Sequence, residues 1–113
     1  MTPNPPPPQA MFEAALAAHR SGRVQEARHL YRRLLESEPR NADVLGLAGT
    51  LECQAGEFAA GVGLFERSLE VLPAQRRVHL NLGSALARRG RPEAALAAHA
   101  QALALAPTRA EAW

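Results

Sequence analysis

The side chains that could bind a metal or act as nucleophiles are few in this sequence, and their spacing suits neither task. The chain has four histidines and a single cysteine, Cys53. His19 and His29 are ten residues apart, so they do not form the pair that a helix would present to one metal ion. His79 and His99 fall at positions that predict packing roles. The sequence therefore predicts no metal site.

Catalytic chemistry is disfavoured by the remaining composition. All 13 basic residues are arginines, so the lysine of a Walker-type phosphate loop or of a Schiff base is missing. Asp43 is the only aspartate, and it lies at the predicted start of a helix, where a negative charge is favourable in any case. A Ser-His-Asp arrangement would depend on that one residue. We expect no catalytic residues, no cofactor and no enzymatic activity.

The charged residues are interspersed rather than clustered by sign. The net charge is +2, and only 4% of the residues are aromatic. Arg28, Arg32 and Arg33 lie between Glu26 and Glu36, a pattern that predicts the solvated outer face of a helix. With few rings for base stacking, the sequence predicts no binding of nucleic acid.

The apolar content consists mainly of alanine and leucine, which favours helices outside a membrane. Of the residues, 47% are hydrophobic, and alanine and leucine have high helix propensity. No apolar run approaches the roughly 18 residues of a membrane span, and the N-terminus lacks the features of a signal peptide. A single cysteine excludes an intramolecular disulfide and suits a reducing compartment. We expect a cytoplasmic protein that does not bind membranes.

Helix-breaking residues recur every 34 residues along the chain. Two series with this period are offset by 17 residues: Gly22, Gly56, Gly90, and Pro39, Pro73, Pro107. Glycine ends helices and proline prevents their continuation, so the series marks an internal repeat of paired helices. The predicted pairs are 9–21 with 24–37, 42–55 with 58–71, and 76–89 with 92–105.

Residues that are 34 positions apart in the chain have side chains of similar size. Two columns of small residues are predicted to let the two helices of each pair approach closely: Ala15, Gly49, Gly83, and Ala27, Gly61, Ala95. A third column holds a ring that is predicted to fill the space between neighbouring pairs: Tyr31, Phe65, His99.

The pattern resembles the tetratricopeptide repeat family, whose unit is a 34-residue helix-turn-helix. The clearest copy is VHLNLGSALARRGRPEAALAAHAQALALAP, residues 78–107. The resemblance implies an all-α, right-handed α-solenoid. It divides the chain into a proline-rich leader at 1–8, three repeats over 9–107 (about 8–41, 42–75 and 76–109) and the start of a fourth repeat at 108–113.

Members of this family bind proteins or peptides along a concave face built from the first helix of each pair. Carried onto this sequence, the face comprises Phe12, Leu16, His19, Arg20, Asp43, Thr50, Gln54, Arg77, Asn81, Ser84 and Arg88. An apolar floor with arginines beyond it suits an extended or acidic peptide. Alternatively, the leader covers Phe12 and Leu16 as a cap.

Two branches of the family bear on the ligand. Chaperone-binding members hold a C-terminal carboxylate with lysine, asparagine and arginine, and only the third repeat supplies such donors here, so we expect no such clamp. The repeats also resemble those that precede the catalytic regions of bacterial glycosyltransferases of the O-linked N-acetylglucosamine transferase type and of bacterial sulfotransferases. Asn81 matches the groove asparagine of those glycosyltransferases, whereas Glu13 and Leu47 do not.

The C-terminal end raises the question of what covers the third pair. Trp113 falls in the column of Met11, Leu45 and His79, as the first helix of a fourth repeat would require. The apolar residues predicted to be left uncovered are Leu82, Leu86, Leu103 and Leu105. The sequence thus predicts a peptide-binding scaffold, with two alternatives: the substrate-recruiting N-terminal region of a larger bacterial enzyme, or a scaffold that self-associates through this end.

Overall fold

A computed structural model describes residues 7–105, which form six α-helices and no strand. The helices are α1 (Pro8–Arg20), α2 (Val24–Ser37), α3 (Ala42–Gln54), α4 (Phe58–Val71), α5 (Arg76–Arg88) and α6 (Pro92–Ala104). Every helix begins and ends within one residue of the sequence prediction, and the all-α solenoid is confirmed. Pro8 belongs to the first turn of α1, where its missing N–H costs nothing. Residues 1–6 of the leader and the predicted fourth repeat at 108–113 lie outside the described residues.

The turn inside each pair is built by its glycine. Gly22, Gly56 and Gly90 have φ values of 76°, 85° and 73°, in the left-handed region. The N–H of the residue after each glycine donates to a carbonyl five residues back, at distances of 2.8 to 3.0 Å. This pattern satisfies carbonyls at the helix end and lets the chain reverse over three residues. The predicted role of the glycine series is therefore confirmed.

The small-residue columns allow the close helix packing that the sequence predicts. A Cβ on Gly49 would lie 2.7 Å from a ring carbon of Phe65, and one on Gly61 would lie 3.0 Å from the carbonyl oxygen of Gly49. A Cβ on Gly83 would overlap the ring of His99. The ring column therefore packs against the glycines of its own pair, which the sequence prediction did not include.

The core has two clusters of buried residues, and their composition corrects one prediction. The first cluster joins α1, α2 and α3, and the second joins α4, α5 and α6. Leu82 and Leu86 belong to the second cluster and are 9% and 6% exposed, so they do not form the uncovered end. They are buried in the cluster that joins α5 to α4 and α6. Leu103 is 79% exposed, as predicted, and Leu105 is half-buried. Leu96, which was not predicted, is also exposed, at 69%.

Arg28 corrects a second prediction. Rather than lying on a solvated face, it donates two hydrogen bonds to the Glu52 carboxylate, at 2.7 and 2.8 Å, across to α3. Its side chain is 22% exposed and that of Glu52 is 12% exposed. Arg32 and Arg33 are exposed, as predicted. Within residues 7–105, none of the helices has the length and hydropathy needed to cross a membrane.

Candidate functional site

The concave face of the solenoid carries two adjoining cavities. The larger has a volume of about 500 Å³ and lies where α1, α3 and the start of α5 meet. The smaller, of about 300 Å³, lies between α3 and α5, over side chains of α4. Thr50 and Asn81 line both cavities, so the two are continuous. We call the residues lining these two cavities the concave groove.

Most of the residues predicted from the sequence line this groove. Those that do are Phe12, Leu16, Asp43, Thr50, Gln54, Arg77, Asn81, Ser84 and Arg88. His19 and Arg20 do not line either cavity. Arg20 is exposed at the end of α1, whereas His19 joins three helices: Nδ1 hydrogen-bonds to the hydroxyl of Tyr31 at 2.8 Å, and Nε2 to Oε1 of Gln54 at 2.8 Å.

Polar side chains link the first helices of the three pairs to one another. The His19–Gln54 hydrogen bond joins α1 to α3. A longer contact of 3.5 Å, from Nδ2 of Asn81 to Oγ1 of Thr50, joins α3 to α5. The same Thr50 hydroxyl donates to the carbonyl oxygen of Gly46 at 3.0 Å. The contacts fix the spacing of the three helices that line the groove.

The larger cavity is positively charged where α5 begins. Arg76 and Arg77 occupy the first turn of α5, which carries no acidic residue. The N-terminus of a helix is the positive end of its dipole, so cations here add to an existing positive potential. Asp43 is the carboxylate that faces the same cavity.

A hydrogen-bond network fixes the start of α5. The buried Ser68 hydroxyl donates to the carbonyl oxygen of Ala42 at 2.8 Å, which ties α4 to the start of α3. The amide nitrogen of Gln75 donates to the carbonyl oxygens of Leu72 and Ser68, at 2.7 and 3.1 Å. Because Gln75 immediately precedes α5, the network holds the two arginines at the edge of the cavity.

The smaller cavity combines a ring, a cation and a thiol. The guanidinium carbon of Arg88 lies 5.6 Å from the centroid of the Phe58 ring, a cation–π distance. Cys53 lines the same cavity, and burial raises the pKa of its thiol. The thiol is therefore protonated at neutral pH and is not poised as a nucleophile. Within the described helices and turns, no three His, Cys, Asp or Glu side chains lie close enough together to hold a metal ion.

The members of the groove that sequence reasoning missed include Arg76 and Phe58. A signal was present for Arg76, because two adjacent arginines at a predicted helix start oppose the helix dipole and call for another explanation. Phe58 lies on a second helix, and the concave face was assigned to first helices alone. Its place under Arg88 depends on how α4 packs beneath α3 and α5.

The groove carries an excess of positive charge. Arg76, Arg77 and Arg88 line it, against the single carboxylate of Asp43. The ion pairs recorded over residues 7–105 lie elsewhere, between Arg23 and Glu26 and between Arg28 and Glu52. The three groove arginines are therefore available to a ligand.

Tyr31, the only tyrosine, gives a direct test of the packing behind the groove. It is 1% exposed, and burial raises its pKa to about 12. Since the phenol titrates at about pH 10 in an unfolded chain, burial of the neutral phenol contributes to stability below that pH, and the contribution is lost as the pH rises through about 12. We expect the phenolate absorbance to appear at about pH 12 in the folded protein and at about pH 10 in denaturant. A midpoint at about pH 10 under both conditions would show that Tyr31 is accessible.

Comparison with known proteins gives a family match and a fold match. The tetratricopeptide repeat model matches residues 4–42, 12–68 and 47–110. A search of curated proteins gave no match. Similar solved structures include a mutant of MamA, with a TM-score of 0.84 and 22% identity over 92% of this chain and 76% of that one. A second MamA structure has a TM-score of 0.83 and 19% identity over 87% of this chain and 57% of that one.

An enzyme is also among the similar structures. A mutant of the O-GlcNAc transferase from Thermobaculum terrenum has a TM-score of 0.82 and 29% identity, covering 90% of this chain and 20% of the transferase. The likeness to MamA, below 25% identity, shows the fold alone. The aligned part of this chain spans a fifth of the transferase structure and about three quarters of the first MamA structure.

Proposed function

Because the chain belongs to the tetratricopeptide repeat family, we propose that its concave groove binds an extended, acidic peptide segment of a partner protein. The observation that carries this proposal is the charge of the groove, where three arginines that have no ion-pair partner among residues 7–105 face one carboxylate. Proteins of this family serve in general as interaction scaffolds. The excess of arginines in the groove adds a preference for a negatively charged ligand.

The larger cavity suits a ligand with an apolar and an anionic side chain close together. Phe12, Leu16 and Leu47 line one part of this cavity, and Arg76 and Arg77 line another. An apolar side chain would be buried against α1 and α3, at about 25 cal/mol per Å² of apolar surface. A carboxylate would meet the two guanidinium groups and the N-terminus of α5.

The middle of the groove offers hydrogen bonds to a peptide backbone. Asn81 uses one N–H toward Thr50, which leaves its carbonyl oxygen and its second N–H to pair with an extended chain. Farther along, Ser84 and Arg88 line the smaller cavity, where Arg88 would meet a second carboxylate. An extended peptide with acidic residues near both ends would therefore satisfy the groove.

The same proposal gives this chain no reaction of its own. A binding role needs no catalytic group, cofactor or metal, and the protonated Cys53 is in keeping with this. A single cysteine also suits the reducing cytoplasm, where we place the protein.

A pair of synthetic peptides tests the proposal. The first is a fluorescent decapeptide with two leucines and glutamate at alternate positions, and the second replaces every glutamate with glutamine. We expect the acidic peptide to bind at least tenfold more tightly at low salt and to lose that advantage near 1 M salt, where the Debye length is about 3 Å. Equal affinity for the two peptides, or saturable binding of neither, would contradict the proposal.

The similarity to the O-GlcNAc transferase favours a second role, as the substrate-recruiting region of a larger bacterial enzyme. An antibody raised against this chain would measure the size of the native polypeptide in the source cells. A band far above 12.1 kDa supports this alternative, and a band at that mass contradicts it.

Self-association through the exposed Leu96 and Leu103 is the other alternative, and sedimentation at rising concentration distinguishes it from a monomeric scaffold.

A further inference from the structure

A cleft of about 410 Å³ lies on the convex side of the solenoid, between α2 and α4. Helix α3 separates this cleft from the concave groove: it presents Thr50 and Gln54 to the groove, and Ala48 and Leu51 to the cleft. We call this second depression the convex cleft. The two sites lie on opposite faces, so an occupant of one leaves the other accessible.

The convex cleft exists because a small residue stands where the repeat pattern allows a large one. Ala48 lines the cleft. One period later the same column holds Leu82, which is buried in the second core cluster. The missing side-chain volume at Ala48 leaves the space between the first and second pairs unfilled.

A second change at the same junction replaces apolar packing by an ion pair. Arg28 and Glu52 bond across one end of the convex cleft. Their counterparts one period later are Val62 and Leu86, both buried in the second cluster. The ion pair neutralises its own charges, so neither partner needs a ligand. It closes the end of the cleft without filling it.

The remaining walls are apolar and the mouth is mainly basic. Leu35 and Leu64 face each other from α2 and α4, and both are half-buried. Arg32 and Arg67 are exposed at the mouth on these same two helices. Of the two carboxylates in the lining, Glu52 is paired with Arg28, which leaves Glu36. The ion pairs found over residues 7–105 involve neither Arg32 nor Arg67. An occupant with apolar anchors and acidic flanks complements this arrangement.

We propose that the convex cleft docks a short amphipathic helix of a second partner protein, with leucine-sized side chains one turn apart and carboxylates on its flanks. The lining on α2 runs from Arg28 to Glu36, eight residues further along the helix, or about 12 Å at 1.5 Å per residue, which matches two turns of helix. A site open along one side favours a helix over a small molecule, because small ligands are bound where most of their surface is enclosed. With both faces occupied, the chain would connect two proteins.

The test uses the full chain and a blocked, stapled peptide of fourteen residues with leucines at positions i and i+4 and glutamates on both flanks. Chemical shifts would follow the titration. We expect saturable binding, with the largest shifts at Leu35, Ala48 and Leu64. Ala48→Leu, which copies the residue of the next repeat, should weaken binding at least tenfold by filling the cleft. Arg32→Glu should also weaken it, and Arg33→Glu, the adjacent exposed arginine, should not.

The variants also separate this site from the groove. Arg32→Glu is a surface change, so it keeps the test valid even where Ala48→Leu perturbs the fold, which circular dichroism would report. Arg77→Glu combined with Arg88→Glu should leave binding of this peptide unchanged. The absence of saturable binding would overturn the proposal. So would equal weakening by Arg32→Glu and Arg33→Glu, or shifts confined to the concave groove.

Discussion

Gly61→Leu is expected to lower the free energy of unfolding by about 3 kcal/mol or more, whereas Gly63→Leu on the same helix is expected to lower it little or raise it. At Gly61 a Cβ would overlap the sulfur of Cys53 and lie 3.0 Å from the carbonyl oxygen of Gly49. The sulfur can rotate away, but the carbonyl belongs to the backbone of α3. The two helices must therefore separate, and overpacking of a well-packed core typically costs about 1–3 kcal/mol or more.

Gly63 is the matched control because it differs only in its surroundings. A Cβ there would have no atom within 4 Å, and glycine is about 1 kcal/mol less favourable than alanine inside a helix. Thermal and denaturant unfolding, followed by circular dichroism, measure both variants. Gly83→Leu, which would overlap the ring of His99, should resemble Gly61→Leu. Similar stability of the Gly61 and Gly63 variants would refute the assignment of the small-residue columns.

Reversing two charges in the groove should weaken binding of the acidic decapeptide about tenfold to a hundredfold. Arg77 and Arg88 are eleven residues apart on α5, which is three helical turns, so they lie on one face. Each change removes an attraction and adds a repulsion, and exposed pairs contribute up to about 1 kcal/mol each. We therefore expect Arg77→Glu with Arg88→Glu to act strongly at low salt and weakly near 1 M salt.

The control for this variant makes the same change in net charge elsewhere. Arg33→Glu with Arg40→Glu alters two exposed arginines that line neither cavity of the groove. Fluorescence anisotropy measures both double variants, and circular dichroism checks that Arg88→Glu, which loses its contact with Phe58, remains folded. Equal loss in the two double variants would mean that net charge rather than the groove governs binding.

The helices could be predicted almost to the residue because their ends are set locally. A glycine such as Gly56 forces a left-handed turn and a proline such as Pro73 stops the helix before it, whatever surrounds them. Which face of a helix is buried is not set locally. Leu82 and Leu86 are buried in the cluster that joins α5 to α4 and α6, and this depends on how successive pairs pack, which the residue pattern does not specify.

The repeat pattern predicted the candidate site only in outline. The column pattern identified Thr50 and Asn81, which the structure brings into contact at the centre of the groove. It did not show that His19 is engaged with Tyr31 and Gln54, because those partners are 12 and 35 residues away. The pairing of Arg28 with Glu52 was missed for that reason too: contacts between repeats depend on tertiary distances.

Chemical-shift mapping of the acidic decapeptide on the full 12.1 kDa chain tests the central claim most directly. The account predicts that the shifts concentrate on the concave face of α1, α3 and α5, with the largest at Thr50, Arg77, Asn81 and Arg88. Residues of α2 and α4 outside the groove, such as Arg33, should not change. Shifts confined to the convex side, or to the exposed leucines of α6, would contradict the claim that the concave groove is the binding site.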